Sequence, residues 1–155
     1  MYNADYVKNN ISLYFHSGKQ HGLMDLTEDI LKDNNTICIC PDGGSNDFDW
    51  QEKLYTNGCS LIILDHHLVD NIPTDFKNII PNKFVIINNH LCGYPNKNLS
   101  GVGIVYQFCR YFDKKEDINN ADNFLDLVAT GNMGDMMDLR SPETLYLIQK
   151  GFSDK

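Results

Sequence analysis

Two stretches decide the fold: Thr36-Ile37-Cys38-Ile39-Cys40-Pro41-Asp42-Gly43-Gly44 and Ser60-Leu61-Ile62-Ile63-Leu64-Asp65-His66-His67. Each opens with a short apolar run and breaks into a polar cluster. Thr36 to Cys40 reads as a strand because it is β-branched and apolar. Leu61 to Leu64 reads as a strand covered on both faces, since its apolar character does not alternate. Between them, Ser45 or Asn46 stands where a helix cap belongs, Asp47 and Asp49 sit in the first turn that a helix dipole favours, and Gly58 stands where a left-handed residue ends a helix. A strand, a helix and a second strand imply parallel neighbours, because parallel strands need a long crossover. Their carboxyl ends then share one rim, which places Asp42 beside Asp65-His66-His67.

Working outward, Phe84 to Ile87 is a further strand. Asn10 to Phe15 reads as a short strand, followed by the loop Ser17-Gly18-Lys19-Gln20-His21-Gly22 and a helix from about Asp25 to Lys32. Ser100 opens a helix through Phe112 with Ile104, Val105, Phe108 and Phe112 on one face. Another helix runs from about Asn120 to Thr130, and the last starts at Ser141-Pro142-Glu143, with Ser as cap and Pro in the first helical position. Strands alternate with helices, so the expected fold class is α/β, a mostly parallel sheet with helices on both faces. The 155 residues suit one domain over 1–155.

Composition narrows the function. The apolar runs fall far short of the roughly 18 residues that span a bilayer, so no membrane partner is expected. Met1-Tyr2-Asn3-Ala4-Asp5-Tyr6-Val7-Lys8 lacks the basic start and apolar stretch of a secretory signal, which points to the cytoplasm. Cys38, Cys40, Cys59, Cys92 and Cys109 show no Cys-x-x-Cys spacing, so they read as buried small hydrophobes or free thiols. Twenty-one acidic residues against 13 basic ones give a formal charge of −8. That sign opposes phosphate binding by side-chain cations alone, and a carboxylate-bound divalent cation would reverse the local field.

Ligands of open parallel sheets sit beyond the carboxyl ends of the strands, where Asp42 and Asp65-His66-His67 fall. Gly43 and Gly44 clear space for an ion or phosphate to approach the backbone. Mixed imidazole and carboxylate donors suit Mn²⁺ or a similar ion, with Mg²⁺ a weaker fit for nitrogen. An Asp before two glycines also serves as a turn residue, and paired histidines also serve as a surface turn; the residues alone leave both readings open. Ser100-Gly101-Val102-Gly103 opens a helix whose free N–H groups could take a phosphate, or Ser100 could simply cap it.

Set in order, Pro41-Asp42-Gly43-Gly44, Leu64-Asp65-His66-His67 and Gly131-Asn132-Met133-Gly134-Asp135-Met136-Met137-Asp138-Leu139 resemble the successive motifs of the DHH phosphoesterase family. Asn88-Asn89-His90-Leu91-Cys92-Gly93-Tyr94-Pro95 with Leu99-Ser100-Gly101-Val102-Gly103 is similar to the connecting stretch of the branch of RecJ-like single-strand exonucleases, and Gly18-Lys19-Gln20-His21-Gly22-Leu23 looks like an upstream loop of that branch.

The resemblance implies metal-dependent phosphodiester hydrolysis with Mn²⁺ or Mg²⁺, by two ions roughly 3.5 to 4 Å apart. It implies that Asp42 bridges both ions, that His66 and Asp135 ligate one, and that His67 faces the phosphate. Asp65 would support the histidines, with Asp65 and His67 as the catalytic pair and His67, Ser100 and Gly101 as substrate contacts. Asp138 competes with Asp135 for the ligand role, or caps a turn. The branch also carries an Asp-x-Asp-Gly segment and a C-terminal substrate domain, and neither is expected in this sequence. A core of this kind would hold half of the two-metal site, have poor activity alone, and call for a complementary chain or domain. Single-stranded DNA is the implied substrate; small nucleotides or oligoribonucleotides, or a catalytically inactive binding module, are the alternatives.

Overall fold

The computed structural model describes residues 10–19, 21–33, 37–70 and 83–153. The expected positions Gln20 and Thr36 lie outside them. Three parallel strands, β1 (Ile37–Pro41), β2 (Ser60–Asp65) and β3 (Phe84–Asn88), pair in the order β1-β2-β3. Helix α1 (Thr27–Lys32) precedes β1, and α2 (Phe48–Thr56) connects β1 to β2. After β3 come α3 (Gly101–Glu116), a 3₁₀ turn (Ala121–Phe124), α4 (Leu125–Gly134) and α5 (Pro142–Ser153).

Two apolar layers hold the sheet. Leu61 and Ile63 point to one face, where they meet Leu23, Ile30, Leu54, Cys40 and Cys59, with Cys38, Phe84 and Ile86 packed alongside. Leu64 points to the other, where it meets Leu99, Ile104, Leu125, Val128 and Leu147, with Ile62 and Ile87 against them. The period of two along β2 thus feeds both layers, and the sheet carries helices on both faces. Burial pushes the Cys38 thiol up to about 11 and the Cys40 thiol up to about 12, so both are packing groups and not nucleophiles.

Register positions the functional rim. Pro41 lies level with Leu64, and Asp65 with Asn88. The backbone N–H of Asp42 still donates to Leu64 O at 2.8 Å, so the ladder holds up to the residue where the chain leaves the sheet.

Several local expectations need correction. Asn10 to Phe15 forms no strand: Ile11 to His16 have no regular structure, and Ile11, Leu13 and Phe15 face outward. Tyr14 instead packs on the α1–α2 layer and donates its hydroxyl to Asp33; alternating apolarity makes a strand only where a ladder partner is within reach. Neither Ser45 nor Asn46 caps α2. Asp47 stands at the cap position, its side chain accepting from Leu23 N–H and making no cap bond to the helix, while Ser45 N–H is drawn to Asp65 and the Asn46 amide to Leu68 and Asp70. Ser141 does precede the last helix, which begins at Pro142 as expected; its carbonyl accepts from Leu145 N–H and its hydroxyl donates to Asn96 Oδ1. Helix α3 runs past Phe112 to Glu116, and Phe112 leaves the expected buried face at 48% exposure. The stretch read as one helix from Asn120 to Thr130 splits into the 3₁₀ turn and α4.

Leu61 is 1% exposed and Ile39 is 54% exposed. Leu61→Ala is therefore expected to lower unfolding free energy by about 2–5 kcal/mol in a urea titration. Ile39→Ala should cost less than about 1 kcal/mol.

Candidate metal centre

The rim is built around a buried acid. Asp65 closes β2 with its side chain 1% exposed, so its lone pairs must be satisfied by the protein. Ser45 N–H donates to Oδ2 at 3.0 Å, and His66 N–H donates to Oδ1 at 2.7 Å. His67 adds its backbone N–H at 3.2 Å and its ring Nδ1 at 2.7 Å, both to Oδ1. Burial alone would raise the Asp65 pKa; hydrogen bonds from the Ser45 and His67 side chains, with those from the two backbone N–H groups, outweigh it and lower the pKa. An ionised Asp65 holds the proton of His67 on Nδ1 and leaves Nε2 as the nitrogen open to a ligand.

The His66 ring lies beside that of His67, 4.5 Å between centroids, and reaches the neighbouring acids. Its Nε2 lies 3.2 Å from Asp42 Oδ1 and 3.8 Å from Asp135 Oδ2. Its pKa is raised by the hydrogen bond to Asp42, against the effect of burial, and by the charges of Asp42, Asp135 and Asp65. Donor atoms of Asp42, His66 and His67 all lie within 4.8 Å of one another. That cluster holds one carboxylate and two imidazoles, with the Asp135 carboxylate outside it and reaching only His66; carboxylate oxygen with imidazole nitrogen, half exposed at Asp42, is a donor set that fits Mn²⁺.

The two carboxylates are held there at a cost. Asp42 sits at φ 58°, a left-handed conformation that Asp tolerates better than most residues. Asp135 follows α4 directly as its C-cap, where the negative end of the helix dipole disfavours an acid. Met136 breaks the helix at φ 52°. A cation at the site would offset the repulsion between these acids and the adverse dipole.

Helix α3 locks the arrangement from above. A Cβ added at Gly101 would fall on the Asp42 carboxylate, and one at Gly131 would fall on Val102. Asn132 Oδ1 accepts from Ser100 N–H at 3.1 Å and from the Ser100 hydroxyl at 3.2 Å. The start of α3 is thereby pinned to the end of α4, which sets Asp135 opposite Asp42. Ser100 is fully buried and its Oγ also accepts from Gly103 N–H, so the hydroxyl serves as helix cap; Gly101 brings the positive end of α3 onto Asp42.

Of the residues singled out in the sequence, Asp42, Asp65, His66, His67, Asp135 and Gly101 meet at this rim. Asp138 is engaged elsewhere: Arg140 donates to it from Nε, Nη2 and its backbone N–H, and these bonds hold its pKa down at about 2. The His21 ring comes within 6.4 Å of the His67 ring, centroid to centroid, while Lys19 is exposed. Sequence reading gave Ser45 only a capping role, and Asn88 and His90 no role of their own within the connecting motif. His90 is close to His66, and burial, with the charges of Lys97 and His66, holds its pKa down.

Comparison with known proteins bears on this rim. Residues 3–132 match the model of the DHH family, N-terminal domain. The YorK protein of Bacillus subtilis (strain 168), described as a candidate SPbeta prophage-derived single-strand DNA-specific exonuclease, is 36% identical over 145 residues, covering 93% of this chain and 23% of YorK. The single-stranded-DNA-specific exonuclease RecJ of Haemophilus influenzae is 30% identical over 114 residues, covering 66% of this chain and 19% of RecJ. The chain thus spans less than a quarter of the length of these relatives. Among solved structures, exonuclease RecJ bound to manganese superposes with a TM-score of 0.72 over 88% of this chain and 33% of that one, at 18% identity, which establishes a shared fold.

Because a methyl group at position 101 would displace the Asp42 carboxylate, Gly101→Ala is expected to weaken Mn²⁺ binding by about tenfold or more, read by calorimetry. Gly134→Ala meets no neighbour and should leave that affinity unchanged.

Proposed function

The chain belongs to the DHH family, and from that membership and the convergence of Asp42, His66 and Asp135 we propose that it is the metal-binding core of a phosphodiester hydrolase acting on single-stranded DNA. The observation that carries the proposal is the approach of His66 Nε2 to both Asp42 and Asp135, two carboxylates drawn from different strand and helix ends onto one imidazole.

In this reading Asp42, His66 and Asp135 hold Mn²⁺, with Mg²⁺ a weaker occupant. A divalent ion in such a site supplies Lewis acidity and lowers the pKa of a water molecule. The remaining chemistry belongs to the side chains. Asp42, half exposed and adjoining the glycine pair, is the carboxylate placed to be shared with a second ion. Asp65 fixes the His67 ring through Nδ1, so that Nε2, when protonated, donates to a phosphate oxygen. The backbone at Gly101, at the positive end of α3, favours the same anion. Net acidity elsewhere on the chain then aids selectivity, because phosphate is attracted only where the cation sits.

Among the described residues the ligands amount to one ion site and the shared carboxylate of another. We propose that full activity draws its further carboxylates and its substrate-closing surface from a complementary chain or domain, and that this core alone hydrolyses DNA slowly. The preference for single-stranded DNA over small nucleotides rests on the names of the relatives at 36% and 30% identity.

Digestion of a 5′-labelled single strand, with and without Mn²⁺, tests the activity. Asp42→Ala and His66→Ala should each lower Mn²⁺ affinity by at least about tenfold and abolish whatever Mn²⁺-dependent cleavage the unsubstituted chain shows. Equal affinity in all three would remove the proposal, and faster hydrolysis of a dinucleotide than of the strand would replace its substrate.

The raised pKa of His66 adds a pH dependence. A metal ion needs the neutral ring, so its binding competes with the proton that Asp42 helps retain. Mn²⁺ affinity should therefore fall as pH is lowered through the His66 pKa, approaching about tenfold per pH unit below it. Calorimetry in buffers of different ionisation enthalpy should register proton release.

A further inference from the structure

Asn88 closes β3 as Asp65 closes β2, and it is fully buried. Its amide joins all three strand-tip loops. Nδ2 donates to His67 O at 2.8 Å and to Ser45 Oγ at 3.1 Å, and Oδ1 accepts from His90 N–H at 2.8 Å. Ser45 is itself bonded to Asp65 through its N–H. Every polar atom of the Asn88 side chain is thus directed at the turn that follows β1, β2 or β3. None of these bonds supports the ladder itself, which register already provides.

We infer that Asn88 is a positioning residue for His67, holding that residue's carbonyl so that the ring stays within reach of both Asp65 and the phosphate side of the rim. The inference rests on the reading of the rim as a metal and phosphate site. Two constraints meet at His67: Asp65 fixes its ring at Nδ1, and Asn88 fixes its peptide at the carbonyl. With only the first, the ring could keep its bond to Asp65 while the backbone swings. Both donors on Nδ2 are needed, because one reaches His67 directly and the other holds Ser45, whose N–H donates to Asp65. Asn suits the position because an acid would set a carboxylate oxygen against the His67 carbonyl, and a smaller residue would leave Ser45, His67 and His90 without their partner.

Asn88→Asp keeps volume and acceptor and removes both donors. In the metal-free chain, the His67 Nδ1–H resonance protected by Asp65 should broaden or disappear. Mn²⁺ affinity should stay within about threefold, while affinity for a 5′-phosphorylated oligothymidylate in Mn²⁺ falls about tenfold. Asn96→Ala is the control for lost stability alone, since Asn96 is a buried amide bonded to Glu143, Thr144 and Ser141; it should leave the resonance and both affinities unchanged. Should Asn88→Asp fail to fold, Ser45→Ala, which removes the hydroxyl that accepts from Asn88 in the turn bonded to Asp65, should weaken the same resonance. An unaltered His67 resonance in the folded variant, or equal losses in Asn96→Ala, would overturn the inference. Absence of Mn²⁺ binding by the unsubstituted chain would instead defeat the metal reading, and the metal-free resonance would still decide the role of Asn88.

Discussion

A carboxylate removed from water must find its hydrogen-bond donors inside the protein, and the burial of Asp65 is the constraint on which the rest of the rim depends. Its donors are the Ser45 N–H from the turn after β1 and the His66 and His67 N–H groups from the turn after β2, together with the His67 ring. Satisfying one acid therefore shapes two loops. The turn after β1 is drawn inward at Ser45, which leaves Asp42 at a left-handed φ, and the turn after β2 is folded back so that the His66 and His67 rings lie side by side, 4.5 Å between centroids. Linkage has a definite sign here. Because the folded-state pKa of Asp65 is lowered, its contribution to stability is present above the unfolded carboxylate value and is lost as pH falls through the folded one.

The second layer of organisation is electrostatic. Asp42 and Asp135 face one imidazole from opposite elements, one against the positive start of α3 and one at the negative end of α4. In the absence of an ion, a proton on His66 is the nearest compensating charge, and the raised pKa of that ring expresses it. A divalent cation would do the same work with two charges and with geometry that the proton lacks. Helix packing enforces the arrangement: Gly101 and Gly131 allow α3 to approach Asp42 and α4, and Asn132 ties the start of one helix to the end of the other.

How much of this could be read from residues alone follows from the range of the forces. Parallel strands from Ile37 to Pro41 and from Ser60 to Asp65 were legible because their apolar runs end abruptly in Asp-Gly-Gly and Asp-His-His. The meeting of Asp42 with His66 follows from that topology. Asp135 lies on a distant helix end, and only the ordered motif placed it. Where choices depended on tertiary partners, local pattern misled. Ile11, Leu13 and Phe15 alternate like a strand, yet the hydroxyl of Tyr14 finds Asp33 and the segment stays outside the ladder. Ser45 and Asn46 are good caps in isolation, yet Asp65 and Leu68 claim them. Asn88 was open to discovery, since it ends a parallel strand as Asp65 does, but an amide draws less notice than an acid or a histidine. No local signal announces that Gly101 must lack a side chain for the sake of Asp42.

The central claim is that folding assembles Asp42, His66 and Asp135 around one cation. Anomalous diffraction at the manganese absorption edge, from crystals of the chain grown or soaked in Mn²⁺, tests it most directly. The account predicts a peak coordinated by those three side chains, with His67 directed toward it or toward an anion beside it. A peak held by other residues, or none at this rim under saturating Mn²⁺, would contradict it.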